Sequence, residues 1–119
     1  MTLTRAIPLS LHGALEVIAA PAIMAAPFLL DFGQAATIVA VSFGALLLGL
    51  ALQVEGPRRT VPISAHAGFD YALAIFAALA GLGIGIASGE WSATAFLVGI
   101  GVAQVALTSS TRFSAPRSA

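Results

Sequence analysis

The chain has 119 residues, of which 59% are hydrophobic and only 8% are charged, and its formal net charge at pH 7 is zero. Because a soluble domain carries about 25% charged residues, this composition predicts that lipid surrounds most of the chain. The absence of cysteine excludes disulfides, thiolate metal sites and thiol nucleophiles. The absence of lysine and of a net positive charge argues against nucleic acid as a partner.

Four apolar segments separated by polar turns predict transmembrane helices at about 9–30, 34–54, 65–87 and 92–107. Each approaches the length of about 20 residues that spans a hydrocarbon core. The segments are apolar on all sides, as is typical of helices immersed in lipid. Strands are disfavoured because an open sheet would leave backbone groups unpaired in lipid. The predicted fold is therefore an all-α membrane protein with four transmembrane helices in one bundle.

The arginines predict the orientation of these helices in the membrane. They fall in the N-terminal segment, the middle loop and the C-terminal tail, which share one side of a four-helix chain, and they are Arg5, Arg58, Arg59, Arg112 and Arg117. The two turns on the opposite side carry Asp31 and Glu90 and no basic residue. By the positive-inside rule, both termini, the short tail and this basic rim face the cytoplasm.

The sequence repeats itself after 54 residues. The run RAIPLSLH at 5–12 recurs as RTVPISAH at 59–66, and Glu16 is matched by Asp70. The second helices match at an offset of 57 residues, which places Gly44 against Gly101. We therefore predict a tandem duplication of a two-helix hairpin, with units at 1–57 and 58–119. A parallel repeat of this kind has a pseudo-two-fold axis along the membrane normal.

The start of each unit resembles the SPW-repeat family of small bacterial integral membrane proteins. The resemblance rests on Arg-x-Ile/Val-Pro followed by histidine and an acid, and on a proline-aromatic pair late in the first helix, and it covers nearly the whole chain. The Ser-Pro-Trp triplet reads here as Ala-Pro-Phe at 26–28 and as Ala-Gly-Leu at 80–82, so it is absent from the second unit. The resemblance implies a bacterial inner-membrane location and brings no established activity.

Four ionisable residues inside the predicted helices form the candidate site. His12 and Glu16, like His66 and Asp70, are four residues apart, so each pair shares one helix face. Intramembrane ionisable groups normally face the bundle interior and have a partner. The pseudo-two-fold axis would bring the two pairs together, and we call the four residues the polar cluster.

Three interpretations of the polar cluster stay open. In the leading one the residues pair across helices and fix their packing, which predicts a structural or accessory protein that is no enzyme and needs no cofactor. In the second, the residues line the pathway of a small proton-coupled transporter or channel, which at this length would need an oligomer. In the third they bind a metal ion or, through the histidines, a haem. Besides the lipid bilayer, the expected partner is a second copy or another membrane protein.

Glycine and proline predict how the helices pack. Gly81, Gly85 and Gly89 recur every four residues late in the third segment and form a small-residue ridge suited to close helix contact. Pro21 and Pro27 lie inside the first segment, where a missing N–H and a steric clash are expected to kink the helix.

Overall fold

The computed structural model describes residues 6–55 and 63–113 of the chain. Its elements in chain order are β1 (Ile7–Pro8), α1 (Leu9–Leu29), α2 (Gln34–Glu55), α3 (Ile63–Ser88), α4 (Trp91–Ser109) and β2 (Thr111–Arg112). All four helices are long and apolar enough to span a membrane. The predicted all-α membrane fold with four transmembrane helices is thereby confirmed, and the helix ends lie within a few residues of the predicted ones.

The bundle consists of two helical hairpins packed side by side. Helix α1 packs along α2, α3 packs along α4, and α2 contacts α3 across the bundle. The buried core combines alanines with a few large side chains, among them Ala20, Ala77, Phe43 and Leu47. Small side chains let helix backbones approach closely in a membrane. Many large apolar side chains point outward instead, as Leu29 does with 82% of its surface exposed, which suits contact with lipid.

Within each hairpin, a glycine lets the two helices pack closely together. A Cβ atom on Gly44 would lie 2.9 Å from the Ala20 carbonyl oxygen of α1, and one on Gly101 would lie 2.7 Å from the Ala74 carbonyl oxygen of α3. Both contacts therefore require glycine, because the facing atom belongs to the backbone and cannot move aside cheaply. The two glycines are 57 residues apart and the two alanines 54 residues apart, as in the sequence repeat.

Of the three glycines predicted to form a packing ridge, Gly81 and Gly85 pack closely against α4 and Gly89 does not. A Cβ atom on Gly81 would lie 2.8 Å from Leu97 Cβ, and one on Gly85 would lie 2.6 Å from the ring of Trp91. Gly89 does not belong to this packing, because it lies beyond the end of α3 and a Cβ atom there would meet nothing within 4 Å. Its φ of +75° instead fits the left-handed residue that commonly follows a helix.

Helix α1 runs through one proline and ends shortly after another. Pro21 and Pro27 both lie within its bounds, and a kink at either stays a prediction. After the helix, Asp31 has a φ of 56° and the Phe32 N–H donates to the Pro27 carbonyl oxygen at 2.9 Å. This is the hydrogen bond of a Schellman turn, in which glycine usually holds the place taken here by aspartate.

Each end of the bundle is closed by contacts between its two hairpins. At one end, which we call the turn end, the Gly33 N–H donates to Glu90 Oε2 at 2.9 Å and links the two interhelical turns. At the other, the strand end, β1 and β2 pair in parallel, with Ile7 opposite Thr111. The Ile7 N–H donates to the Ser110 carbonyl oxygen at 3.0 Å. This pairing holds the start of α1 beside the end of α4, and it was not predicted.

Most of the predicted basic rim lies outside the described residues. This applies to Arg5, Arg58, Arg59 and Arg117. Arg112 lies in β2 at the strand end and is exposed. The direction in which the bundle crosses the membrane therefore stays a prediction.

Candidate functional site

The four residues of the polar cluster meet between α1 and α3, toward the strand end. His12 and Glu16 belong to α1, and His66 and Asp70 belong to α3. Each residue contributes one nitrogen or oxygen atom to a group whose members all lie within 4.8 Å of one another. All four residues are buried, with exposed fractions between 0% and 3%. The spacing of four residues puts each histidine and its acid on one face, and these two faces meet in the bundle.

Each histidine contacts the acid of its own helix and the acid of the other helix. His12 Nε2 lies 3.1 Å from Glu16 Oε2 and 2.9 Å from Asp70 Oδ2. His66 Nε2 lies 3.1 Å from Asp70 Oδ2 and 3.5 Å from Glu16 Oε1. The two imidazole rings are nearly perpendicular, with centroids 5.6 Å apart. The polar cluster therefore bridges the two hairpins.

Hydrogen bonding satisfies only part of the polar cluster. Among these four approaches, that of His12 Nε2 to Asp70 Oδ2 has hydrogen-bond geometry. Glu16 Oε1, His66 Nε2 and Asp70 Oδ1 are buried atoms without a hydrogen-bond partner in the described part of the chain. Buried polar atoms nearly always have partners, and an unsatisfied one costs about 1–3 kcal/mol. Each of these atoms is available to bind a further proton or a cation at the centre of the cluster.

Gln104 of α4 joins the polar cluster from the second hairpin, although the sequence analysis did not select it. Its Nε2 donates to Glu16 Oε2 at 2.6 Å and lies 3.4 Å from Thr108 Oγ1. Gln104 is 6% exposed. A signal was present, because Gln104 is the only amide side chain in the predicted fourth segment, and the residue 57 positions earlier is Leu47.

The segment after α4 covers the polar cluster at the strand end. The Thr111 hydroxyl donates to the Leu107 carbonyl oxygen at 2.6 Å and lies 2.8 Å from His12 Nδ1. A hydroxyl has a single proton to donate, so Thr111 accepts the second hydrogen bond and His12 Nδ1 carries a proton. The Phe113 ring lies edge-on to His12, with centroids 5.1 Å apart, and 5.9 Å from the centroid of His66. Neither Thr111 nor Phe113 was predicted, because both follow the last apolar segment.

Comparison of the chain with protein-family models, with curated proteins and with solved structures finds no match. The resemblance to the SPW-repeat family therefore stays a prediction from the residues. The geometry of the polar cluster carries the functional conclusion.

Proposed function

We propose that this chain is a small multi-pass membrane protein with a structural or accessory, non-catalytic role, and that the polar cluster clamps its two hairpins together. The observation that supports the proposal is that each histidine approaches an acid on both α1 and α3. Separating the hairpins would break the His12–Asp70 and His66–Glu16 contacts. Each histidine would then keep only the acid of its own helix in an apolar surrounding, which is costly.

The way the helices pack explains why such a clamp is useful. Each hairpin packs more extensively within itself than against the other hairpin. In a membrane, apolar side chains gain little by leaving lipid for protein, so helix association depends on close packing and on polar contacts. In the described part of the chain, the polar contacts between the hairpins include the cluster and the Gln104–Glu16 hydrogen bond. They also include the Gly33–Glu90 hydrogen bond at the turn end, and the His12–Thr111 hydrogen bond and β1–β2 pairing at the strand end.

A proton pathway through one chain has less support. From the cluster toward the turn end, the interior is filled by apolar side chains, namely Ala20, Ile23, Phe43, Leu47 and Ala77. A proton relay requires a chain of polar or ionisable groups. Toward the turn end, the buried polar side chain of the described core is Thr94, whose hydroxyl donates to the Gly81 carbonyl oxygen. The geometry therefore favours the clamp.

We also propose that the two hairpins arose by tandem duplication of the units 1–57 and 58–119. The support is that buried positions recur at the offsets of the sequence repeat, 54 residues between α1 and α3 and 57 between α2 and α4. The matching buried pairs are His12/His66, Glu16/Asp70, Ala20/Ala74, Ile23/Ala77, Pro27/Gly81, Ala36/Ala93, Ala40/Leu97, Gly44/Gly101, Leu47/Gln104 and Ala51/Thr108.

The proposed location is a bacterial inner membrane with both termini in the cytoplasm, as the arginine distribution and the SPW-repeat resemblance imply. Because the chain has no cysteine, single-cysteine labelling of intact cells with an impermeant maleimide tests the orientation. We expect Gly33→Cys to react from outside and Ser114→Cys to react only after the cells are opened. Reaction of Ser114→Cys in intact cells would contradict the orientation.

Thermal unfolding in mild detergent tests the clamp. We expect His12→Ala, Glu16→Ala, His66→Ala and Asp70→Ala each to lose about 1–3 kcal/mol of stability, because each leaves a buried partner unsatisfied. The double variant of the two histidines should lose less than the sum of the single losses, since they share one network. Ile18→Ala on the exposed face of α1 is the control and should change stability little. The clamp is refuted if all four cluster variants melt at the temperature of the parent.

A further inference from the structure

We infer that the polar cluster binds one divalent transition-metal ion of the Zn²⁺ class, held jointly by His12, Glu16, His66 and Asp70. The inference rests on the proposed clamp, because the ion would be the bridge between α1 and α3. It assigns the chemical class of the ligand, which the clamp alone leaves open.

The spacing of the four ligating residues fits a single small ion. The nitrogen–oxygen separations across the cluster are 2.9, 3.1, 3.1 and 3.5 Å. A tetrahedral Zn²⁺ with ligands at about 2.0–2.1 Å separates neighbouring ligand atoms by about 3.3–3.4 Å. The four nitrogen–oxygen separations lie on both sides of that value, while the ligand atoms as a set extend to 4.8 Å from one another. Side-chain movements of about 1 Å would close the tetrahedron. A simple hydrogen-bonded chain needs no centre common to all four residues.

The hydrogen-bond geometry of His66 also fits a metal site. His66 Nε2 lies 3.1 Å from Asp70 Oδ2, yet it has no hydrogen-bond partner among the described residues. A short separation without hydrogen-bond alignment fits two atoms that face a common ion. Glu16 Oε1, which lies 3.5 Å from His66 Nε2, is likewise buried without a hydrogen-bond partner among the described residues, and carboxylate oxygens ligate metals.

Because His12 Nδ1 is hydrogen-bonded to Thr111, Nε2 is the ring nitrogen that faces the centre of the cluster and can bind a metal ion. Because Thr111 accepts from Nδ1, a neutral His12 presents the lone pair of Nε2 to the carboxylates of Glu16 and Asp70, at 3.1 and 2.9 Å. The repulsion between that lone pair and the carboxylate oxygens is removed either by a proton on Nε2, as in the His12–Asp70 hydrogen bond, or by a metal ion in its place. Metal-binding histidines characteristically hold their other ring nitrogen in such a hydrogen bond, and Gln104 holds Glu16 in a similar way.

Charge and donor type define the class of ion. Two buried carboxylates carry a charge of −2, which either two protonated histidines or one divalent cation between neutral histidines neutralises. Arg112, the described arginine, is exposed in β2. Two imidazole nitrogens with two carboxylate oxygens suit Zn²⁺ and its first-row neighbours, whereas Ca²⁺ and Mg²⁺ prefer oxygen ligands alone and Cu⁺ prefers sulfur. Four protein ligands leave no open position, which is typical of a structural site and agrees with a non-catalytic role.

Metal content and metal-dependent stability test the inference on the full chain in mild detergent. After stripping with a chelator and adding back Zn²⁺, we expect native mass spectrometry to show one ion per chain and the melting temperature to rise. Loading with Co²⁺ should give the visible absorption bands of a tetrahedral site. His66→Ala and Asp70→Asn should abolish binding and the rise in melting temperature. Glu90→Gln, which changes an acid outside the cluster, should bind as the parent does.

The outcomes separate the metal site from the clamp. If Zn²⁺ does not bind the stripped parent, or if His66→Ala binds it as well as the parent, the metal inference is overturned. If this happens while the alanine variants still lose stability, the clamp stands without a metal. If Zn²⁺ binds with the expected stoichiometry but neither the ion nor the variants change stability, the metal site stands and the clamp fails.

Discussion

Replacing Gln104 by leucine removes its hydrogen bond to Glu16 of the polar cluster and a longer one, of 3.4 Å, to Thr108 Oγ1. Gln104 Nε2 donates to Glu16 Oε2 at 2.6 Å, and leucine has nearly the volume of glutamine, so no large cavity forms. The remaining neighbour of that oxygen is His12 Nε2 at 3.1 Å. A hydrogen bond to a charged group contributes about 1.5–3 kcal/mol. We expect Gln104→Leu to lower the free energy of unfolding by that amount.

A double-mutant cycle with Glu16→Ala shows whether the loss comes from this hydrogen bond. Unfolding is followed in mixtures of mild detergent and sodium dodecyl sulfate for the parent, both single variants and the double variant. Once Glu16 is alanine, the substitution of Gln104 should cost little, because the acceptor is gone. The reasoning is refuted if Gln104→Leu is as stable as the parent, or if its cost is the same with and without the Glu16 carboxylate.

Two further predictions concern backbone contacts. Gly101→Ala should lose about 1–3 kcal/mol of stability through overpacking, because its Cβ atom would press on a carbonyl oxygen of α3. The control Gly99→Ala, on the same helix, has open space at its Cβ position and should melt near the parent. Equal melting temperatures of the two variants would contradict this. Asp31→Gly should gain about 1 kcal/mol, because glycine adopts the left-handed conformation without the penalty of other residues; a lower melting temperature than that of the parent would count against it.

The helices and the meeting of the four ionisable residues were predictable for different reasons. Apolar segments of membrane-spanning length determine the helices almost regardless of detail. The site needed two more facts, the spacing of four residues in each pair and the repeat that places His12 and His66 at equivalent positions. The four-residue spacing grouped Gly89 with the packed glycines, although the third segment was predicted to end at residue 87, one residue before α3 ends.

The contacts at the strand end were beyond prediction. Strands of two residues have no periodicity to detect, and the pairing of β1 with β2 depends on how the whole bundle brings the start of α1 to the end of α4. Thr111 reaches His12 only because of that pairing. By contrast, Gln104 carried a readable signal, an amide in an apolar helix, which sequence reasoning centred on ionisable residues passed over.

The difference between Leu47 and Gln104 explains one defect of the polar cluster and leads to a last prediction. On the proposed duplication, position 47 lies relative to Asp70 as Gln104 lies relative to Glu16. A glutamine at position 47 would therefore donate a hydrogen bond to Asp70. Position 47 holds leucine, and Asp70 Oδ1 is indeed buried without a hydrogen-bond partner in residues 6–55 and 63–113.

Leu47→Gln should supply the missing donor and keep or raise the melting temperature, although it puts an amide into the core. The matched control is Leu97→Gln, also fully buried but about 10 Å along α4 from Gln104 at 1.5 Å per residue. Without an acid to bind, that amide should cost about 1–3 kcal/mol. If Leu47→Gln loses as much stability as Leu97→Gln, the amide has found no partner at Asp70, and the pseudo-two-fold relation does not extend to the surroundings of the cluster.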